Sequence, residues 1–593
     1  MSVDKLGDFP TANSRIVVVG AIAVGIGVAG AFIAAALLYL IGFFTNILYY
    51  GRVSFVLVSP AGNQLGYLAV AVPVAGGLVV GAMAKYGSDR IRGHGIPEAL
   101  EAILINKSRI EPKVTILKPL STAISIGSGG PFGAEGPIIM TGGSFGSVLG
   151  QMFRLSSSER KTLLVAGAAA GMAATFNAPV AAVLLAVELL LFEWKPRSLI
   201  PVGIASVTAT VVRWSILGNV SLFPVPQTPL PDVTMMLSAV VVGLIAGLAS
   251  TLLTYAVYAS EDAFKRLPIH WMWWPAIGGL VVGIGGLIAP RALGVGYDTI
   301  DMLLVGQLAV GTVAVLLVVK AVIWSLSLGS GTSGGVLAPL LMMGGALGSL
   351  ESLFLPAGTS SLLAVVSMGA MLGGAMRSPF TGVVFTLELT RDLNAMPLLL
   401  VGAIVADFVT VFTMKRSILT EKVARKGVHV SQEYQVDVLE QIRVSQVMRR
   451  DFEAIDKDAP VSALAARASS GKVAIGYPVV DSNGRMVGYL LHDDVSKAAR
   501  GESSLGMTVG EFAGPLRAVA HPDEPTRAAA DRLAETDTGS LPVVDSDGRP
   551  VGLFTRDDTF QARVIWFREE NTRERHLSVA SWLSGLARGD KEG

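Results

Sequence analysis

Three glycine-rich segments contain the residues whose types and spacing could do chemistry: Gly93-His-Gly-Ile-Pro97, Gly133-Ala-Glu-Gly-Pro137 and Gly334-Gly-Val-Leu-Ala-Pro339. Proline suits the first turn of a helix, and glycine lets the backbone approach a ligand closely. The first N–H groups of a helix have no intrahelical partner and lie at the positive end of the helix dipole. The segments therefore predict three helix N-termini that together bind an anion.

Glu135 is the one ionisable residue of the second segment. An ionisable side chain in apolar, glycine-rich surroundings is a functional hypothesis by default. Its carboxylate is an anion tethered to the chain, so it can bind the same N–H groups as a diffusible anion. When ionised it would occupy the site, and when protonated it would move away. We therefore expect Glu135 to act as a gate.

The second and third segments belong to an internal duplication. Residues 127–137 and 329–339 align without gaps at an offset of 329 − 127 = 202. Further pairs follow at offsets of 202 and 200: Gly142 and Gly344, Gly146 and Gly348, Pro179 and Pro379, Glu188 and Glu388. Helices broken by glycine and proline at matching positions of two halves indicate a binding site between the repeats.

The elements that position these segments must lie largely in lipid. Apolar residues make up 51% of the 593 residues and charged residues only 16%, against roughly 25% charged in a soluble domain. Residues 16–50 contain no Asp, Glu, Lys or Arg, and about 20 apolar residues already cross a bilayer. The composition predicts an all-α polytopic membrane domain of on the order of ten or more helices.

Charge and cysteine usage exclude several classes of function. Cysteine is absent, which excludes disulfides and thiolate metal sites. The formal net charge is +1, so no overall field would recruit nucleic acid. Neither a nucleophile–base pair nor a metal-ligand set has usable spacing, which disfavours an enzyme. Basic residues collect at segment ends, and the positive-inside bias predicts that these ends are cytoplasmic: Lys85, Arg90, Arg92, Lys107, Arg109, Lys113, Lys415, Arg416, Lys422, Arg425 and Lys426.

A soluble α/β module follows the membrane domain. Residues 477–488 and 541–552 repeat at an offset of 541 − 477 = 64, and each copy predicts a strand, an Asn-Gly or Asp-Gly turn, a second strand and then a helix. Two such copies resemble a pair of CBS domains, which often bind adenine nucleotides. The resemblance implies a ribose-binding pair, Thr555 and Asp558, in the second copy, whereas the first copy has Leu491 in place of the hydroxyl. A pair that only braces a dimer is the alternative.

Together, the membrane segments and this module are similar to the CLC family of chloride channels and transporters. The resemblance implies a homodimer in a bacterial-type inner membrane, inverted repeats and cytoplasmic CBS domains. It also implies that Glu135 is the gate and that the anion site is formed by His94, Gly95, Ile96, Gly136, Val336, Leu337 and Leu419. No cofactor is expected beyond the adenine nucleotide.

Four positions depart from the family pattern. His94 stands where serine is usual, Leu337 where phenylalanine is usual and Leu419 where an anion-coordinating tyrosine is usual. Ala134 replaces a basic residue, so the outer vestibule should be less positive. The central site would thus depend on the N–H groups of Val336 and Leu337, with His94 either a ligand or a packed residue.

Proton coupling is the open question. The second, proton-relaying glutamate of the family's exchangers would fall at Leu189, which cannot carry a proton, and Glu188 aligns with Glu388 as a structural residue. We therefore expect a channel or an uncoupled transporter. A proton-coupled exchanger that uses another route, through Glu193 for example, and a transporter of another inorganic or organic anion are the alternatives.

The predicted order along the chain places a membrane domain between two tails and a C-terminal module. The ranges are a tail at 1–14, the membrane domain at 15–427 with repeats at about 60–215 and 235–427, a linker at 428–443, CBS domains at 444–507 and 508–568, and a tail at 569–593.

Overall fold

The computed structural model of the protein describes residues 15–571, apart from gaps at 105, 107, 154, 356–359, 427–438, 440–441, 464–475, 492–493, 496–497, 499–505, 514–515, 517 and 537. The chain divides into two compact units between Glu433 and Tyr434, inside the predicted linker. The predicted tail 1–14, most of the linker and most of the tail 569–593 lie outside the described residues.

The membrane unit is helical, as predicted. Its helices are α1 Arg15–Tyr50, α2 Ala71–Tyr86, α3 Ile96–Leu104, α4 Pro112–Gly127, α5 Glu135–Met152, α6 Ser157–Phe176, α7 Pro179–Leu185, α8 Pro196–Leu217, α9 Val233–Lys265, α10 Trp274–Ile288, α11 Tyr297–Leu304, α12 Val310–Gly329, α13 Leu337–Glu351, α14 Ser360–Met376, α15 Pro379–Thr390, α16 Met396–Thr413 and α17 Thr420–Ala424. A π-helical turn, Ala186–Leu191, extends α7. In the described part of the chain, seven helical segments are long and apolar enough to cross a membrane.

Glycines of the duplication bring helix backbones into direct contact. A Cβ on Gly146 would lie 2.1 Å from the carbonyl oxygen of Leu163 in α6, and a Cβ on Gly348 would lie 2.2 Å from that of Leu363 in α14. Helices in lipid associate through such small residues, because lipid supplies no hydrophobic force between them. The pairs α5–α6 and α13–α14 therefore pack in the same way, as the predicted register requires.

Two glutamates exchange helix caps between the repeats. The Glu188 carboxylate accepts a hydrogen bond from the Thr381 backbone N–H at 2.9 Å, at the start of α15. Glu388 accepts from the N–H groups of Val180 and Ala181 at 3.0 and 2.8 Å, at the start of α7. Each repeat thus caps a helix of the other, as expected for halves related by a pseudo-two-fold axis. The structural role predicted for Glu188 matches this geometry.

A pair of buried lysines marks a further match between the repeats. Lys118 donates to the carbonyls of Ile91 and Gly93, at 2.8 Å each. Lys320 lies 320 − 118 = 202 positions later and donates to the carbonyls of Ala292 and Gly294, at 2.9 and 3.2 Å. Both ammonium groups hold the turn that precedes a short helix, α3 in one repeat and α11 in the other.

The C-terminal unit contains two β-hairpins at the predicted offset. Its strands are β1 Ile455–Asp456, β2 Gly476–Val480, β3 Met486–Leu491, β4 Ser540–Val544 and β5 Pro550–Thr555, and its helices are α18 Val444–Val447, α19 Val509–Phe512, α20 Thr526–Thr536 and α21 Arg556–Asn571. β2 pairs antiparallel with β3, and β4 pairs with β5 in the equivalent register. The helix predicted after the second hairpin is α21, and the one after the first hairpin lies partly outside the described residues.

Each hairpin has its own hydrophobic core. The segment that precedes the first hairpin packs in the core of the second, and the segment that precedes the second hairpin packs in the core of the first. Val444 and Val447 pack with Phe554 in the core of the second copy, whereas Val509 packs with Val479 in the core of the first. The Tyr489 hydroxyl is 2.6 Å from that of Ser540, and this hydrogen bond links the two copies. The predicted boundary between the two CBS domains, at 507/508, therefore divides the sequence but does not separate the two hydrophobic cores.

Candidate functional site

The three glycine-rich segments meet inside the membrane unit. Gly133 and Gly335 exchange backbone hydrogen bonds of 3.3 and 2.8 Å. Gly334 donates to the carbonyl of Gly93 at 3.4 Å, and Gly93 donates to that of Thr332 at 3.2 Å. The third segment thus bridges the other two. The helices that follow, α3, α5 and α13, therefore begin close together, so their unpaired N–H groups converge.

Glycine is required at the closest contacts between these segments. Gly95 has φ +93°, which favours glycine, and a Cβ there would lie 2.1 Å from the carbonyl oxygen of Gly136. A Cβ on Gly136 would lie 1.7 Å from the carbonyl oxygen of His94. Any larger residue at either position would force the first two segments apart.

Glu135 is fully buried at the N-terminus of α5. A Cβ on Gly335 would lie 2.8 Å from its Oε2, so the carboxylate lies against the third segment. It is in the field of the Ala338 N–H and of Lys320. Neither oxygen makes a hydrogen bond of standard geometry with any described residue. The carboxylate therefore lies unpaired between the starts of α5 and α13.

The other predicted anion ligands in α3, α13 and the turn before α17 offer backbone groups and buried apolar side chains. Ile96 and Leu337 are the first residues of α3 and α13, and both are fully buried, as is Val336. Leu419 is fully buried before α17 and presents no polar atom. The carbonyl of its neighbour Ile418 accepts a hydrogen bond of 2.6 Å from the Tyr258 hydroxyl.

His94 lines an open cavity of about 640 Å³. The histidine is only 3% exposed, and its Nδ1 has no hydrogen-bond partner among the described residues. Acidic and basic side chains line the same cavity: Arg92, Glu98, Glu101, Glu261, Lys422 and Lys426. The cavity therefore combines charged side chains with Gly93 and His94 of the first segment.

Two residues next to His94 were missed at the sequence level. Glu98, in the first turn of α3, accepts a hydrogen bond from the Gly95 N–H at 2.6 Å and forms an ion pair with Lys422. The predicted ligand Gly95 thus donates to the chain's own carboxylate. An acidic residue three positions after the residue that precedes a helix is a capping signal, so the bond to Gly95 was readable from the sequence, and the ion pair was not.

Leu189 and Glu193 occupy different environments. Leu189 is fully buried in the π-helical turn. Glu193 follows in the loop before α8, where the Ser198 hydroxyl donates to it at 2.8 Å. Burial alone would raise the pKa of the Glu193 carboxyl, but the Ser198 hydroxyl and neighbouring cations, Lys161 foremost, lower it below its ordinary value. Glu193 is therefore ionised at neutral pH.

The predicted ribose-binding pair lies at the junction of β5 and α21. The Thr555 N–H and hydroxyl both donate to Asp558 Oδ2, at 2.7 Å each, and both residues are buried. Arg449 approaches the other carboxylate oxygen at 3.7 Å. In the first copy only the Leu491 N–H donates to Asp494, at 3.0 Å. In both junctions a backbone N–H donates to the aspartate three residues later, and only the second copy adds a hydroxyl donor, that of Thr555.

The fold and the site define a class: a multi-pass membrane protein with helix N-termini that converge on a buried carboxylate. The chain belongs to the voltage-gated chloride channel family, whose profile matches residues 76–411, and the CBS domain profile matches residues 444–501 and 517–564.

Two relatives and one solved structure illustrate the similarity. A protein of Ralstonia nicotianae named "Putative chloride channel protein ClcB-like" is 31% identical over 60% of this chain and 85% of its own length. A Klebsiella pneumoniae protein named "H(+)/Cl(-) exchange transporter ClcA" is 31% identical over 51% of this chain and 66% of its own length. The fold matches that of a slow cyanobacterial Cl−/H+ antiporter with a TM-score of 0.60, at 23% identity over 70% of this chain and 99% of the other.

Proposed function

We propose that this protein carries chloride or a similar small inorganic anion across the membrane, past the converging N-termini of α3, α5 and α13. The supporting observation is the buried Glu135 carboxylate, which has no hydrogen bond of standard geometry to any described residue. A buried, unpaired charge is costly, and the positive ends of α5 and α13 offset that cost for any anion at this position. A diffusible anion of similar size would be stabilised by the same groups.

Glu135 acts as the gate in this mechanism. The ionised carboxylate competes with the transported anion for the N–H groups at the start of α13. Protonation removes its negative charge, so the helix ends then attract the diffusible anion more strongly than the side chain. Transport therefore rises as the carboxyl becomes protonated, or when its charge is removed by mutation.

Transport is uncoupled from protons in this proposal. A relay needs a side chain that takes up and releases a proton near neutral pH. Leu189 has no titratable group, and the lowered pKa of Glu193 keeps that carboxyl ionised. Proton–chloride exchange is the second candidate, favoured by the Klebsiella relative that is named an H+/Cl− exchanger. The two candidates differ in whether a pH gradient drives chloride movement.

We also propose that the chain forms a homodimer in a bacterial-type inner membrane, with the CBS pair cytoplasmic and bound to adenine nucleotide through Thr555 and Asp558. The paired donors of Thr555 support the nucleotide assignment, because they hold the Asp558 carboxylate in one orientation. Family membership supports the dimer. Cross-linking in native membranes, read as a band at twice the monomer mass, tests the dimer.

The variant Glu135→Gln tests the gate. In chloride-loaded proteoliposomes, we expect wild-type flux to rise on acidification by up to about tenfold per pH unit, because a single proton opens the gate. Glu135→Gln should conduct at high pH with little remaining pH dependence.

Glu351→Gln is the matched control. Glu351 is also buried, and both of its carboxylate oxygens lack hydrogen-bond partners among the described residues, but it lies at the opposite end of α13. Chloride flux through Glu351→Gln should keep the pH dependence of the wild type. An unchanged pH response in Glu135→Gln would rule out the gate.

A further inference from the structure

A second open cavity lies at the far ends of two helices that also reach the His94 cavity. Trp274 of α10 and Gly329 of α12 line the His94 cavity, whereas Ile288 and Gly311, at the other ends of the same helices, line a cavity of about 940 Å³. The ends of α12 are about 30 Å apart, because each residue of an α-helix adds about 1.5 Å. The two cavities therefore belong to opposite faces of the membrane unit.

Two arginine side chains, Arg52 and Arg291, line this second cavity, which we call the arginine cavity. The Arg52 Nε donates to the Asn46 Oδ1 at 2.6 Å, and the Arg291 Nη1 lies 3.0 Å from the Met302 sulfur. Within the described part of the chain, neither guanidinium forms an ion pair, and their other side-chain N–H groups make no hydrogen bond. Both arginines therefore keep donors and an unneutralised charge for a ligand.

Arg52 is held in place before any ligand binds. Asn46, which accepts from it, is fully buried, and its Nδ2 donates to the carbonyls of Gly42 and Val56 at 2.8 Å each. The Arg52 guanidinium also lies over the Tyr50 ring, 5.3 Å from its centroid. A donor group that is already ordered loses little entropy on binding, so this arginine is preorganised.

The charges of the arginine cavity do not cancel. Among the described residues that line it, Asp298 is the one acidic residue, and two guanidinium groups with one carboxylate leave one positive charge. The basic residues predicted to be cytoplasmic, Lys422 among them, line the His94 cavity at the other face. The positive-inside bias depletes arginine from the face opposite them. A phosphodiester carries one negative charge, and guanidinium groups bind phosphate oxygens bidentately, so this ligand would balance the cavity.

Apolar side chains continue from the arginine cavity along the outside of the helices. Ile288 and Val315 line the cavity and are 64% and 45% exposed. About one turn further from the cavity, Ile284 of α10 and Val318 of α12 are exposed as well. A ligand with a phosphate in the cavity could therefore pack a hydrocarbon chain along these helices, and a free phosphate ion could not use that surface.

We propose that the arginine cavity binds a phospholipid, with its phosphodiester on Arg52 and Arg291 and an acyl chain along α10 and α12. Basic pockets between membrane helices bind lipid headgroups through this combination of charge and apolar surface. The site shares no lining residue with the His94 cavity. The proposal is therefore independent of the anion that the protein carries and of proton coupling.

Lipid binding to the delipidated full-length protein, measured by native mass spectrometry with dioleoyl phosphatidylglycerol, tests the proposal. Arg52→Gln and Arg291→Gln each remove a charged donor group, so we expect the lipid Kd to rise about tenfold in each. Arg291→Lys keeps the charge and should raise the Kd less than Arg291→Gln. Arg391→Gln is the matched control, because Arg391 is exposed and lines a different cavity. It should change the Kd by less than about threefold.

Two further probes separate recognition of the lipid from recognition of its parts. Dioleoylglycerol lacks the phosphate and inorganic phosphate lacks the acyl chains, so each should bind at least about tenfold more weakly than phosphatidylglycerol. Equal binding of dioleoylglycerol would reveal an apolar surface without headgroup recognition. Equal binding of inorganic phosphate would reveal a site for a soluble anion.

Either of these results would overturn the phospholipid site, and so would an unchanged lipid Kd in Arg291→Gln. Arg291 does not contact Asn46, so this variant decides the question even if Arg52→Gln fails to fold. Chloride flux is the separate readout of the proposed transport function, and its loss in the wild type would leave the lipid result as it stands.

Discussion

His94 shows how one side chain can alter an otherwise backbone-built site. The N–H groups at the helix starts are fixed in number and charge, so they bind small anions with little discrimination. The imidazole adds one donor at a set distance, and its two tautomers present that hydrogen at different atoms. His94 lines the cavity, and its Nδ1 has no hydrogen-bond partner among the described residues.

His94→Ser should change anion selectivity. Serine also supplies one donor, but its side chain is shorter than that of histidine. The variant therefore leaves more room for larger anions and makes less contact with smaller ones. We expect the permeability ratios among chloride, bromide and nitrate to shift by a few-fold, about 1 kcal/mol for one hydrogen bond. Bi-ionic reversal potentials measure these ratios. The exposed His270, changed to serine, is the control, and identical ratios in His94→Ser and wild type would return His94 to a packing role.

Reciprocal contacts specify the arrangement of the helices around the site. Glu188 caps α15 and Glu388 caps α7, so each repeat supplies the hydrogen-bond partner that the other lacks. Lys118 and Lys320 hold the turns before α3 and α11, each within its own repeat. An unsatisfied helix end is expensive inside a membrane, so the two glutamates fix how the halves meet.

The sequence revealed the elements more readily than their contacts. The helix starts before Pro97, Pro137 and Pro339 were predictable, because glycine, proline and apolar residues within a few positions encode each of them. The hairpins of the C-terminal unit were predictable for the same reason. The Glu98–Lys422 pair joins residues 324 positions apart, and no local pattern encodes it. The exchange of Val444 and Val509 between the two cores has the same long-range character.

At the scale of the whole molecule, Asp558→Ala should weaken the binding of adenine nucleotide to the full-length protein. Ribose hydroxyls would lose a charged acceptor worth about 1.5–3 kcal/mol, which is a loss of about tenfold or more in affinity. Titration calorimetry with ATP, ADP and AMP measures it. Asp494→Ala removes the equivalent carboxylate of the first copy, where Leu491 supplies no hydroxyl, and should leave affinity unchanged. Equal losses in both variants, or no binding at millimolar nucleotide in the wild type, would end the nucleotide assignment.

The reversal potential of proteoliposomes under a pH gradient tests the central claim, an uncoupled anion route gated by Glu135. With a fixed chloride gradient, we expect a reversal potential equal to the chloride equilibrium potential whether or not a pH gradient is imposed. Proton movement recorded at the same time should not follow the chloride flux. The absence of chloride current would refute the anion route. A shift of the reversal potential toward that of protons would refute uncoupled transport and establish proton–chloride exchange by a relay other than Leu189.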